Sequence, residues 1–457
     1  MDAAEAVVRP TDETAFVLDV VSALADKSLV RVDLDRAQTA EPRFGMYRNI
    51  QEYALEKLTA MAGRCGDVQT TRRHGDYFAA LGSEAAVAAL DTHGGVTRRR
   101  ALGAETQNIL TACRRALGRH DGPAAAATCR AAWVVYAQRG PAVEAVGLAT
   151  AVLGLATLSA TDRARVHRVA GLAHRMAGNV AAARLDLDAA LALYVTAADA
   201  QGEAVVLGNL GLLGMEAGRM AEAEVLQTRA LSTHEHIHDR VGEGIALGNL
   251  AIVNRRQGRF GLAREQYTRA LAIHREVGNR VNEGVVLGNL AILNGESHRP
   301  EDACSDYQAA LAIHREVGNR RGEGVTLWNY GERLVLLGRL DEAQDALHAA
   351  LSILRDIGNR RFEALTLGSI AMLAVRRGRL GEAADALTAA EAILRPVGDL
   401  LELGKVLCGW VEVHHLRGDE RLADAALEEA TTIAMQLTIK PTTEYGQLLL
   451  RVQALRG

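Results

Sequence analysis

The string Gly-Asn-Arg stands at Gly278, Gly318 and Gly358, one copy every 40 residues. Self-similarity at such a period marks a supersecondary unit that cannot bury its apolar face alone and stacks on copies of itself. The same place holds His238-Asp239-Arg240 upstream and Gly398-Asp399 downstream. Weaker outer copies extend the array to about seven units, from near Ala160 to near Leu437.

Each unit carries two helical signatures. In the third, Leu247, Leu250, Ala251 and Asn254 follow the spacing of one helix face; after Gly258, Leu262, Ala263, Tyr267, Ala270 and Leu271 do the same. Gly278 suits a left-handed C-cap, Asn279 can accept backbone N–H bonds as the next N-cap, and Glu283 falls in a first turn, where the helix dipole favours an acid. The motif therefore reads as punctuation between helices and not as a phosphate cradle, since no Lys-Ser/Thr follows it. Composition agrees. With 49% hydrophobic residues, 4% aromatics and 7 prolines in 457 residues, cores must be built from Ala, Leu, Val and Ile, which suits close-packed helices. The expected fold class is all-α.

A net charge of −4 excludes a broad basic footprint for nucleic acid or for a membrane surface, so any partner is recognised locally. Five cysteines, Cys65, Cys113, Cys129, Cys304 and Cys408, are scattered and never form a C-x-x-C pair, which fits a reduced, cytoplasmic setting. The first apolar run, Ala15 to Val30, is broken by Asp19 and Asp26, so it fits neither a signal peptide nor a membrane span.

Small residues recur where helices must nearly touch: Gly211, Ala251, Ala291, Gly331 and Ala371 in first helices, Ala223, Ala263, Ala303, Ala343 and Ala383 in second ones. The run from Leu210-Gly211 or Leu250-Ala251, through Gly218, Gly258, Gly338 and Gly378, to Tyr267, Tyr307, Leu347 and Leu387 and then Ala230, Ala270, Ala310 and Ala350 resembles the tetratricopeptide (TPR) pattern. A period of 40 exceeds the usual ~34 and resembles the longer-helix variant of kinesin-light-chain-like arrays and bacterial regulators. The resemblance implies a superhelical solenoid over residues 159–438, closed by a capping helix in 439–457 that Pro441 can open.

Residues 1–62 read differently. A helix runs into a strand over Ser28 to Val32, a polar tip covers Asp33 to Pro42, Arg43-Phe-Gly-Met-Tyr returns, and a helix begins near Asn49. That order is winged-helix grammar. The wording Val21 to Val30 followed by Ile50-Gln-Glu-Tyr-Ala-Leu-Glu-Lys-Leu58 resembles predicted ATPases of bacterial signalling regulators, of the STAND type, in which such a segment lies between the ATPase core and the repeats. Here Met1 stands only a few residues ahead and no G-x-x-x-x-G-K-[ST] occurs, so the ATPase core is expected to be absent. Residues 63–158 read as linker helices of degenerate pairs, including His74 to Leu81 and Glu105 to Leu117, with breaks at Asp121-Gly-Pro123 and Arg139-Gly-Pro141. Ala104 to Leu110, with Trp133 and Tyr136, resembles the helices that lead those ATPases into their repeats.

Four asparagines, Asn209, Asn249, Asn289 and Asn329, recur in successive first helices and form the leading candidate ligand groove. In TPR proteins such residues resemble those that hold the backbone of an extended peptide, and an amide offers the donor and acceptor this needs. Bonding between units is the alternative. Gly208, Gly248, Gly288 and Gly368 leave the groove open beside them, where the fifth unit has Trp328, either an anchor or a space-filler. Arg255 and Arg256, with Arg376 and Arg377, could favour an acidic ligand, although Glu216, Glu296 and Glu332 dilute the sign. His234, His236 and His238 with Glu235 suggest metal, but His274 and His314 take the place of His234 in the next units, near helix C-termini that favour positive charge. No catalytic triad, metal set or cofactor motif is readable. DNA contact through Arg31, Arg43 and Arg48 is opposed by Asp33, Asp35 and Glu41.

The function expected is a non-enzymatic scaffold for a protein or peptide partner in bacterial signalling or transcription regulation. The alternative is the sensor half of an ATPase regulator whose P-loop module is a separate partner or lost.

Overall fold

The computed structural model describes residues 2–8, 16–33, 43–60, 66–439, 441 and 443–455. Among them seven helix pairs follow one another as units 1 to 7. The first helices are Ala160–Met176, Ala200–Glu216, Arg240–Arg256, Arg280–Glu296, Arg320–Leu336, Arg360–Arg376 and Leu400–Arg417. Their partners are Val180–Thr196, Met220–His236, Phe260–Val277, Pro300–Glu316, Leu340–Asp356, Leu380–Val397 and Glu420–Gln436. The punctuation works as capping chemistry requires. Gly278, Gly318 and Gly358 sit at φ of 74°, 66° and 66°, a left-handed conformation that glycine adopts without a Cβ clash. Asn279 then accepts from the Asn282 N–H at 3.1 Å, and Glu283 takes Arg275 at 2.9 Å and Arg280 at 2.5 Å.

Within a unit the small residues set how close the helices come. A Cβ on Gly211 would lie 2.5 Å from Gln227, and one on Gly331 would lie 2.6 Å from Leu347. Ala263, Tyr267 and Ala270 are fully buried in the third unit, as are Ala343, Leu347 and Ala350 in the fifth. The histidines close the junctions. His274 lies against Gly244 of its own unit, and His314 lies between Gly284 and Gly322 of the next unit. Burial pushes both imidazoles down to about 4. They are neutral packing residues at pH 7, a correction to the expectation that they carry charge at a helix end.

The capping helix is Glu444–Ala454, opened by Thr443 accepting from the Gly446 N–H at 3.1 Å and not by Pro441. Tyr445 enters the notch left by Gly404 and donates to the Ala430 carbonyl at 2.5 Å, so the last unit is covered.

Upstream, helix Val17–Asp26, strands Arg31–Asp33 and Arg43–Gly45, and helix Arg48–Ala60 keep the expected order. The first strand starts later than Ser28, because Ser28 turns at φ 56° and the Leu29 N–H returns to Leu24. The sheet has three residues per strand, pairing Arg31 with Gly45, Val32 with Phe44 and Asp33 with Arg43. Of its described apolar side chains Val30 is buried, whereas Phe16, Val32, Met46, Tyr47 and Tyr53 are exposed. The polar tip from Leu34 to Pro42 lies outside the described residues.

The linker forms helices Gly66–Ala80, Glu84–Ala88, Gly95–Ala104, Thr106–Gly118, Gly122–Arg139 and Ala142–Leu153. The superhelix brings this linker back over the repeat turns. His93 Nε2 lies 3.0 Å from the Glu276 carbonyl, 183 residues away, and Arg100 donates to the Glu316 carbonyl, 216 residues away. A Cβ on Gly278 would come within 2.5 Å of the His93 ring, and one on Gly140 would fall on the Ile357 carbonyl. The three turns with matching Gly-Asn-Arg strings all lie against linker residues, His93, Arg139 and Pro141.

Candidate functional site: the concave groove

First helices of neighbouring units pack on one another, and residues from four of them, Arg175, Glu216, Arg321 and Arg361, converge on a single recess. They therefore line the inside of the superhelix. In units 2 to 4 this wall carries a set of apolar side chains. Val205, Leu212, Ile252 and Ile292 are half-buried, while Ile245 and Val285 are exposed at 38% and 40%.

Glycines form the floor between them. A Cβ on Gly208, Gly248 or Gly288 would meet no atom closer than 3.6 Å, and one on Gly368 would meet nothing within 4 Å. Packing does not demand glycine at these places, although mid-helix glycine costs about 1 kcal/mol against alanine.

The asparagine ladder divides into three kinds. Asn329 donates to its own helix at Val325, 2.9 Å away. The Asn209 amide nitrogen is buried without a partner. Asn249 and Asn289 are half-buried on the groove flank, and their side chains make no hydrogen bond among the described residues.

Trp328 belongs to the junction of units 5 and 6. Its Nε1 donates to Ser369 at 2.8 Å, and its ring meets Phe362 edge-on with centroids 5.6 Å apart. Ser369 in turn donates to Glu332 at 2.7 Å. Burial, reinforced by the charge of Glu444, pushes the Glu332 carboxyl up to about 7. The arginine pair is engaged as well. Arg255 is bound to Glu296 of the next unit, and Arg256 donates to the Met215 carbonyl at 3.0 Å. Neither is a free cation in the groove.

His234 Nδ1 lies 3.0 Å from Asp239, and among the described residues no group of three or more His, Cys, Asp or Glu is placed to hold a metal ion. Sequence reasoning missed Arg321 and Arg361. Their signal was a doubled arginine, Gly-Asn-Arg-Arg, where the fourth unit has Gly-Asn-Arg-Val.

A family model described as tetratricopeptide repeat matches residues 202–276 and 282–356. The chain carries TPR units over those spans. A comparison with curated proteins finds no match. Among solved structures, the fold is similar to a Rap protein complexed with Competence and Sporulation Factor (TM-score 0.57, 10% identity, covering 74% of this chain and 99% of that one). It is similar to the Rap conjugation gene regulator of plasmid pLS20 in complex with the Phr* peptide (TM-score 0.53, 13% identity, 74% and 97%). It is also similar to a STAND protein with a tetratricopeptide repeat sensor, PH0952 from Pyrococcus horikoshii (TM-score 0.51, 14% identity), where the match covers 97% of this chain and 61% of that one.

Proposed function

We propose that this chain is a non-enzymatic scaffold that holds an extended peptide, or a protein segment presented as one, against the first helices of units 2 to 4, in bacterial signalling or transcription regulation. One observation carries the reading. Asn249 and Asn289 present unbonded amides beside a glycine floor that packing does not require. Two such amides 40 residues apart can each take a peptide group, donor and acceptor together, without reading its side chain. The apolar residues Ile245 and Val285 then supply burial for alternate side chains. The Phr* peptide bound by the Rap regulator of plasmid pLS20 supports this kind of occupant.

The test is capture. The full chain should enrich peptides from a random display library, and Asn249→Ala with Asn289→Ala should weaken their binding at least tenfold while leaving thermal melting within about 1 °C, since neither amide supports the fold. Equal capture by the double variant would remove the groove reading.

A second reading is favoured by the likeness to the STAND protein, which runs through the linker and the N-terminal segment as well as the repeats. In it the chain is the sensor half of an ATP-switched regulator. The linker lying on the repeat turns then gives a ligand in the groove a route to whatever the N-terminal segment contacts. A P-loop module encoded in frame or beside this chain would favour that reading.

A further inference from the structure

The recess between units 1, 2, 5 and 6 is lined by Arg175, Glu216, Arg321, Asn359, Arg361 and Phe362. Two of its arginines are accounted for. Arg175 donates to Glu216 at 2.9 Å, and Arg361 donates to Asp399 at 2.8 Å and to Glu402 at 3.3 Å. Arg321 makes no hydrogen bond and no ion pair among the described residues, and its Nε is buried without a partner.

The repeat supplies its own control. Arg321 and Arg361 are register equivalents, 40 residues apart. The two acids that hold Arg361 are the N-cap and the third helical residue of the following unit. At the same two places ahead of Arg321 stand Asn359 and Phe362, which are neutral. The stack does not call for a cation here either, because Gln201, Val241 and Val281 fill this position in units 2 to 4. Burial and the charges of Arg175 and Arg361 lower the Arg321 guanidinium to about 10, so it is still charged at pH 7. Arg321 is half-buried: its Nε is closed off without a partner, while its terminal nitrogens are left open to the recess with no acid to receive them. A guanidinium fork is best completed by two oxygens of one anion.

We propose that Arg321, flanked by Arg175 and Arg361, binds an oxyanion, a phosphoryl or carboxylate group, in the recess these residues line beside Asn359 and Phe362. The ligand's oxygens supply the negative charge that Asn359 and Phe362 do not. This site lies in a different part of the channel from the asparagine groove, and it does not depend on the peptide reading.

Inorganic phosphate and acetate are the probes, each compared with chloride at equal ionic strength, on the full chain. Phosphate should raise the melting temperature of the unaltered protein above its value in chloride. Arg321→Gln and Arg321→Met should lose that rise, and without phosphate should melt no lower than the unaltered protein, because a lone charge has been removed. Arg320→Gln, which breaks the neighbouring pair with Glu323 (3.0 Å), should keep the phosphate response. A rise with phosphate alone assigns a phosphoryl ligand, and a rise with acetate too assigns oxyanions in general. No rise with either, or an equal rise in both Arg321 variants, overturns the proposal. Peptide capture is measured without phosphate, so either result can fail while the other stands.

Discussion

Units 2 to 4 and units 5 to 7 place the same backbone positions on the inside of the superhelix and fill them with different chemistry. In the first half the floor is Gly208, Gly248 and Gly288, flanked by Val205, Ile245 and Val285, with asparagines that have little or nothing to bond. In the second half the matching positions carry Trp328, Gly368 and Cys408, flanked by Val325, Leu365 and Lys405, and the bonds are used up. Trp328 holds Ser369, Ser369 holds Glu332, and Lys405 sits 2.8 Å from Glu444 and 3.3 Å from Glu402. The period fixes where a side chain points; the departures from it separate a half whose inner positions are left unbonded from one in which they bond to each other.

The two halves should answer oppositely to pH, and that is the sharpest way to break the comparison. His274 and His314 have folded values near 4, below the ordinary 6.5. The unfolded chain therefore binds more protons between these values, and the stability the neutral rings contribute is present above 6.5 and lost as pH falls towards 4. The loss should reach about 3 kcal/mol for each histidine. Urea titrations from pH 7.5 to 4.5 on the protein and on His274→Gln with His314→Gln would check it; parallel losses in both would remove these residues as the cause.

Glu332 works the other way, as one group against two histidines. Its folded value near 7 lies above the ordinary 4.5, so the folded chain holds the extra proton, and the stability this gives is lost as pH rises through 7. Glu332→Gln, which keeps an acceptor for Ser369, should gain about 1–3 kcal/mol at pH 8.5 and change little at pH 5. A gain equal at both pH values would point to packing instead of charge.

Much of the solenoid was legible in the sequence because its determinants are local. Capping needs only Gly278, Asn279 and Glu283 in order, and close approach of helices needs only small residues at Gly331 and Ala343, so a 40-residue ruler finds them all. The crossing of the linker over the same turns was not legible. It depends on superhelical pitch, which accumulates from small rotations between units and brings His93 to Glu276 without any local pattern. The N-terminal segment was legible in element order, while a hairpin of three residues per strand leaves Phe16 and Tyr53 exposed.

The candidate site divides in the same way. That four asparagines share one helix position could be read from spacing. That Asn329 turns back to Val325 in its own helix while Asn249 and Asn289 make no such bond could not be read from spacing, which is the same for all three. Trp328 was ambiguous for that reason, since Ser369 and Phe362, which receive it, are 41 and 34 residues further on. The histidines misled because their spacing suits a helix end, whereas the glycine notches that bury them belong to other helices.

Where a captured peptide lies tests the central claim most directly. A library-selected peptide carrying a photoreactive benzophenone at its centre would be cross-linked to the full chain and the adducts mapped by mass spectrometry. Adducts on Val205, Ile245, Val285 and their neighbours in the first helices of units 2 to 4 are the predicted result. Adducts on exposed residues of the second helices, such as Val225 (60% exposed) or Leu262 (43%), would place the ligand on the outer surface and contradict the account.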